Sequence, residues 1–87
     1  MTLSELGGLL TVRTSWTLRA DFEADAIFLK GLKLVCDGDF VRVAQRVWTP
    51  EHTYYTPRVC VYAGDVEYLL DRLITIVEEG TYAHRLH

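Results

Sequence analysis

The sequence predicts an α+β fold in which a four-stranded antiparallel sheet is followed by one C-terminal amphipathic helix that packs on one face of the sheet. Apolar and polar residues alternate through much of residues 11–62, which is the period of half-buried strands. From residue 66 onward, apolar residues recur three and four positions apart, which is the period of a helix. Because the period changes once, we expect the strands first and the helix last.

Composition places the chain among ordinary globular domains. With 87 residues, 49% hydrophobic and 24% charged, it is unlike disordered, collagen-like or low-complexity chains. No apolar run approaches the roughly 18 residues of a membrane-spanning helix, and two cysteines with no leader-like start favour a cytoplasmic protein without membrane contact. We expect a single domain over residues 1–87, which consists of an N-terminal segment (1–10), the sheet (11–62), the helix (65–79) and a tail (81–87).

The central hairpin is predicted from Asp37-Gly38, a strong turn signal between two β-rich runs. If these two residues form the loop, Leu34 lies opposite Val41 and Leu32 opposite Val43. That register places four aliphatic side chains on one face. In the last strand, Pro57 predicts an edge position or a strand start. Residues 1–10 are assigned to no element, because Gly7-Gly8 weakens a helix there.

The helix has the expected end signals, with Asp65 as N-cap and Gly80 just past the C-terminus. Its apolar arc is wider than one sheet face requires. We therefore expect a homodimer or partner interface on this helix, formed by Tyr68, Leu69 and Ile76.

Strand alternation gathers cations and aromatic rings on the face opposite the helix, and Asp21 is the one acid within a strand there. Guanidinium groups pair with phosphates and unstacked bases lie on aromatic planes, so this pattern predicts a surface for single-stranded nucleic acid. A solvated face of an ordinary sheet also favours Arg and aromatic residues, so the pattern alone leaves both interpretations open. The predicted nucleic-acid-binding residues are Arg13, Arg19, Lys33, Phe40, Arg42, Arg46, Trp48, Tyr54 and Arg58, with Tyr62 on the same face.

Three features follow one another in residues 39–80: a strand that begins Phe40–Val43, a second strand over residues 55–62, and an acidic step that opens the helix over residues 65–77. This order resembles the second half of a PUR repeat and its bacterial relatives. Single-stranded-DNA-binding coactivators and Whirly proteins share the plan. Gln45 departs from the PUR-repeat pattern, because PUR repeats often have Glu at this position. The resemblance implies a dimer whose curved sheets bind single-stranded DNA or RNA.

No residue pair has the spacing expected of a catalytic site, so we expect a non-enzymatic protein without cofactor or metal. His84 and His87 are three residues apart but are interpreted as part of a frayed tail. Cys36 and Cys60 are expected on opposite faces, where they cannot pair.

A second function class fits the same features. The net charge of −3 argues against binding duplex DNA by bulk charge, and exposed Trp, Tyr and Arg are also typical of protein interfaces. The alternative hypothesis is a small phage-type inhibitor or adaptor, similar to an anti-CRISPR protein, that acts on a host protein complex.

Overall fold

Five antiparallel strands form one open sheet in chain order in the computed structural model, which describes the backbone of residues 1–85 and the side chains of residues 1–79. The α+β class is confirmed, with five strands instead of four and a further helix at the start. The elements are α1 (Leu3–Arg13), β1 (Arg19–Asp21), β2 (Ala26–Leu29), β3 (Leu32–Asp37), β4 (Phe40–Trp48), β5 (Thr53–Tyr62) and α2 (Val66–Arg85).

Helix α1 begins with a capping box. The Thr2 hydroxyl accepts the Glu5 backbone N–H over 3.1 Å, and the Glu5 carboxylate accepts the Thr2 backbone N–H over 3.4 Å. These two bonds satisfy N–H groups that a helix start leaves unpaired. The expectation that the sheet begins at residue 11 is therefore wrong, because the helix continues to Arg13. Val12, which the alternation placed in a strand, is 81% exposed on the helix surface.

The fifth strand arises because residues 26–37 fold into two strands. Leu29 and Leu32 are opposite each other, and the two residues between them, Lys30 and Gly31, have φ of 48° and 76°. Two successive positive φ values are the geometry of a type I′ turn, whose twist matches that of the flanking strands. Lys30 thus adopts a left-handed conformation that is uncommon for a residue with a side chain.

The β3–β4 hairpin has a different loop from the expected one. Asp37 is opposite Phe40, so the loop residues are Gly38 and Asp39. Gly38 has a φ of 60° at the first loop position, as a type II′ turn requires. Leu34 consequently lies opposite Val43. The register moves by two positions, which leaves every side chain on its expected face.

Strand β5 contains a β-bulge. Val43 pairs with Val59 and Ala44 pairs with Pro57, so Arg58 is an extra residue without an opposite partner. An extra residue reverses the in–out order of the strand on one side of it. The side chains of residues 53–57 therefore lie on the faces opposite to those that strict alternation predicts. As Pro57 indicated, β5 is an edge strand.

Helix α2 begins as expected, since the Asp65 carboxylate accepts the Tyr68 backbone N–H over 3.2 Å. It does not end at Gly80 but continues to Arg85, so residues 81–85 are helical and not a frayed tail. The side chain of His84, and His87 entirely, lie outside the described residues. Within the described residues, no helix combines the length and apolar character needed to cross a membrane.

One core joins both helices to the same face of the sheet, which we call the covered face. Leu6 and Leu10 of α1 and Leu69 and Leu73 of α2 are nearly fully buried. They pack in one cluster with aliphatic residues of β2, β3, β4 and β5. Burial of each such side chain stabilises the fold by roughly 1.5–3 kcal/mol. The residues of this cluster are Leu3, Leu6, Leu10, Ile27, Leu29, Leu32, Leu34, Val41, Val43, Val61, Ala63, Leu69, Leu70, Leu73 and Ile76.

Two of the three predicted interface residues belong to this core. Leu69 is 0% and Ile76 is 2% exposed. Their predicted place on a partner surface is therefore wrong, because α1 and the sheet together bury more of the helix than the sheet alone would. Tyr68 is 48% exposed and stays on the surface.

Candidate functional site

The opposite side of the sheet, the open face, is covered by neither described helix. The strand register assigns its side chains, because directly paired residues point to the same side. The predicted residues that lie on this face are Arg19, Lys33, Phe40, Arg42, Arg46 and Trp48, together with Tyr62.

Strand β4 carries the central row of the open face. Its outward side chains are, in order, Phe40, Arg42, Ala44, Arg46 and Trp48. The row therefore has an aromatic ring at each end, an arginine next to each aromatic residue and the methyl group of Ala44 in the middle. Alternate side chains of a strand are about 6.6 Å apart. Phe40 is 47% and Trp48 73% exposed.

A ridge of three side chains crosses the face. The Arg19 guanidinium carbon lies 4.4 Å from the centre of the Phe28 ring, and the Phe28 ring centre lies 5.6 Å from that of Tyr55. The first contact is a cation–π interaction and the second is a tilted aromatic pair. Strands β2 and β5 are three places apart in the sheet, or about 14 Å at the usual strand spacing. The two rings therefore meet above β3 and β4.

The ridge divides the open face into two grooves. The larger, which we call the Lys33 groove, has a volume of about 440 Å³, and Tyr55 closes one end of it. The smaller, the Arg46 groove, has a volume of about 270 Å³ and lies beside the β2–β3 turn. Tyr55 lines both. The first groove is also lined by Lys33, Val35, Arg42, Ala44, Pro57, Arg58 and Cys60, and the second by Arg19, Phe28, Lys30 and Arg46.

Cations outnumber acids on this face. Within residues 1–79, no salt bridge joins Arg19, Lys33 or Arg46 to a carboxylate. Arg42 reaches Asp37 over 3.5 Å, and both side chains are more than 60% exposed. An ion pair this long and this exposed contributes little free energy. Arg42 can therefore exchange that carboxylate for another anion.

The guanidinium groups of Arg13 and Arg58 and the ring of Tyr54 lie away from the open face, so the expected placement of these three groups is wrong. Arg13 is on α1, where its guanidinium donates to both Glu67 carboxylate oxygens over 2.8 and 2.9 Å. Arg58 is the bulged residue; it lines the Lys33 groove, but its guanidinium contacts Gln45 and Glu79 on the covered side. Tyr54 pairs with Val47 on the covered-face side and packs against His52, with ring centres 5.2 Å apart.

Two rings of the open face were not predicted from the sequence. Neither Phe28 nor Tyr55 was among the predicted binding residues, and strict alternation from Val59 would place Tyr55 on the covered face. The bulge explains why Tyr55 lies on the open face, because it exchanges the faces on which Tyr54 and Tyr55 lie. A proline inside a β-rich run is the sequence signal for such an irregularity, because prolines within sheets occur at edges and bulges.

A second aromatic pair lies at the far end of the face. The rings of Phe40 and Tyr62, which are opposite each other in the register, meet edge to face with centres 5.9 Å apart. The Tyr62 ring also folds against Gly64, where a Cβ atom would overlap it. Gly64 thus leaves the space in which the Tyr62 ring lies.

The described residues include both cysteines, His52 and several carboxylates, which are side chains of the types that bind metals. Among them, no group of three His, Cys, Asp or Glu side chains is placed to hold a metal ion. Burial raises the pKa of the Cys36 thiol, which lies toward the core. Cys60 is exposed on the open face, so the two thiols are on opposite faces.

Comparison with known proteins adds no relative. No protein-family model, no curated protein and no solved structure matches the chain. The resemblance to PUR repeats therefore stays a prediction from the sequence pattern.

Proposed function

We propose that this chain is a non-enzymatic protein that binds single-stranded nucleic acid on the open face of its sheet. One observation carries the proposal: the row on β4 places two arginines between two exposed rings on a face that neither described helix covers. Guanidinium groups pair with phosphates, and the rings offer stacking surfaces for bases. Each stacked base contributes roughly 1–3 kcal/mol to binding.

The distribution of acidic residues also supports the open face as the binding surface, despite the net charge of −3. Helix α2 and its cap carry Asp65, Glu67, Asp71, Glu78 and Glu79, on the other side of the sheet. Within the strands, the open face carries only Asp21 and Asp37 as acids. A polyanion is therefore attracted to one face and repelled by the other.

The experiment that tests this function is a titration with an oligothymidine at two salt concentrations. Binding through phosphates releases counterions, so the affinity for a single strand falls with salt by a log–log slope of about −0.7 per phosphate contact. With Arg19, Lys33, Arg42 and Arg46 available, we expect a slope of about −2 to −3. Absence of binding at low salt, or binding that salt does not weaken, would contradict the proposal.

The proposal includes a cytoplasmic protein that forms homodimers. Cys36 and Cys60 do not pair with each other, which suits a reducing compartment. The exposed Tyr68 is the one predicted interface residue still available to a second copy.

The alternative, an inhibitor or adaptor that binds a host protein, rests on the same exposed rings, because Trp and Tyr are enriched at the centres of protein interfaces. It predicts that the chain captures a protein partner in equal amounts from host lysate after nuclease treatment. Capture under those conditions, combined with no oligonucleotide binding, would favour this alternative.

A further inference from the structure

The Lys33 groove differs from the rest of the open face in having an apolar floor between cations. Val35, Ala44 and Pro57 provide that floor, and none of the three carries a polar side-chain atom. Lys33 is directly opposite Ala44, and Arg42 is directly opposite Val35 and Cys60. Each cation therefore stands next to an apolar position. The volume of about 440 Å³ lies in the range of small-molecule sites.

Tyr55 gives this groove an aromatic wall whose position is fixed. Its ring packs against Phe28, which in turn lies under the Arg19 guanidinium. The chain thus holds the ring in place before any ligand arrives, which lowers the entropy that binding must overcome. The ring also lies next to Arg46, which is directly opposite Tyr55 in the register.

We propose that the Lys33 groove is a seat for one nucleobase of a bound single strand. The base lies over Ala44 and Pro57 against the Tyr55 ring, and Lys33 and Arg42 hold the phosphates that flank it. This inference rests on the proposed function. It identifies the part of the open face that binds a base in addition to the phosphate backbone of the strand. The chemistry of the groove suits a nucleobase, which is a flat π system that lies between two negatively charged phosphates.

A matched pair of variants tests the seat, because Tyr54 and Tyr55 are adjacent tyrosines on opposite faces of one strand. The probes are an oligothymidine of about 8 nucleotides and an abasic strand of the same length. The measured quantity is the ratio of the two affinities, which reports contacts with bases alone. We expect Tyr55→Leu to lower this ratio by about 5- to 150-fold and Tyr54→Leu to leave it unchanged.

A second variant changes Ala44, which is part of the apolar floor of the Lys33 groove. Ala44→Leu fills the groove without changing charge, and we expect it to lower the same ratio while the salt dependence of binding to the abasic strand stays as in the wild type. Circular dichroism and the melting temperature show whether each variant is folded. If Ala44→Leu does not fold, Ala44→Ser adds one polar atom to the floor, and it should lower the ratio in the same direction.

The outcomes separate the two proposals. If the wild type binds oligothymidine with salt dependence but Tyr55→Leu keeps the wild-type ratio, the seat is wrong and the function stands. If the wild type binds neither strand at low salt, the proposed function fails and the seat fails with it. Equal loss of the ratio in Tyr54→Leu and Tyr55→Leu would also overturn the seat.

Discussion

The Arg58 guanidinium lies 3.3 Å from the Glu79 carboxylate and 2.9 Å from the Gln45 amide oxygen, so this arginine joins β5 to α2 on the covered face. Arg58 also lines the Lys33 groove, but its guanidinium is engaged by these two groups on the covered face. We expect Arg58→Ala to lower the free energy of unfolding by up to about 1 kcal/mol, as is usual for a partly exposed pair, and to lower oligonucleotide affinity less than Arg46→Glu does. Urea denaturation and a binding titration measure the two quantities. A large loss of affinity in Arg58→Ala would show that this arginine contacts the ligand.

The two tryptophans lie in different surroundings, which makes fluorescence a test of the face used. Trp48 is 73% exposed at the end of the β4 row, whereas Trp16 packs against the core. We expect oligothymidine to quench fluorescence in Trp16→Phe, which retains Trp48, and to have little effect in Trp48→Phe. Quenching that is seen only in Trp48→Phe would show that the ligand binds near Trp16 and not on the open face.

Thiol reactivity offers an independent test. Cys60 is exposed and lines the Lys33 groove, while burial raises the pKa of Cys36. A raised pKa leaves less thiolate at a given pH, and the thiolate is the reactive form. We therefore expect iodoacetamide to modify Cys60 before Cys36 at neutral pH, and a bound oligonucleotide to slow the reaction of Cys60 only. Mass spectrometry follows both sites. Unchanged reactivity of Cys60 in the presence of saturating oligonucleotide would argue against a ligand in the groove.

The capping box of α1 is expected to contribute measurably to stability. Thr2→Ala removes a hydroxyl that accepts the Glu5 N–H, which typically costs about 1 kcal/mol. For a domain of this size, that loss lowers the melting temperature by roughly 4–8 °C. Ser4→Ala is the matched control, because Ser4 lies inside the helix and not at its cap. Equal melting temperatures for Thr2→Ala and the wild type would show that the cap is not needed.

Much of the sheet could be predicted from alternation because an error of two residues does not move a side chain to the other face. The hairpin at Gly38 shows this, since Leu34 and Val43 stayed on the covered face although the loop was misplaced. The same reasoning failed at Arg58, where one extra residue exchanged the faces of Tyr54 and Tyr55. Alternation cannot reveal a single inserted residue, and Pro57 was the only local signal for it.

The start of the chain was misjudged for a different reason. The alternation from Val12 onward favoured a strand, and Gly7-Gly8 opposed a helix. The pattern Thr2-x-x-Glu5 was nevertheless a capping box, and burial of Leu6 and Leu10 against the sheet outweighs the roughly 1 kcal/mol that each helical glycine costs. Tertiary packing of this kind does not appear in a local pattern. Lys30-Gly31 likewise splits the β-rich run before Asp37, and the flanking Leu29 and Leu32 both reach the core.

The central claim is that the open face, and not net charge, binds the single strand. Arg46→Glu and Arg72→Glu change the net charge equally, but Arg46 is on the open face and Arg72 is on α2, on the other side of the sheet. The direct measurement is the affinity of both variants and the wild type for oligothymidine at low salt. We predict a loss of at least about tenfold in Arg46→Glu, which is about 1.4 kcal/mol, and an affinity near that of the wild type in Arg72→Glu. Equal affinities in the two variants would contradict the claim.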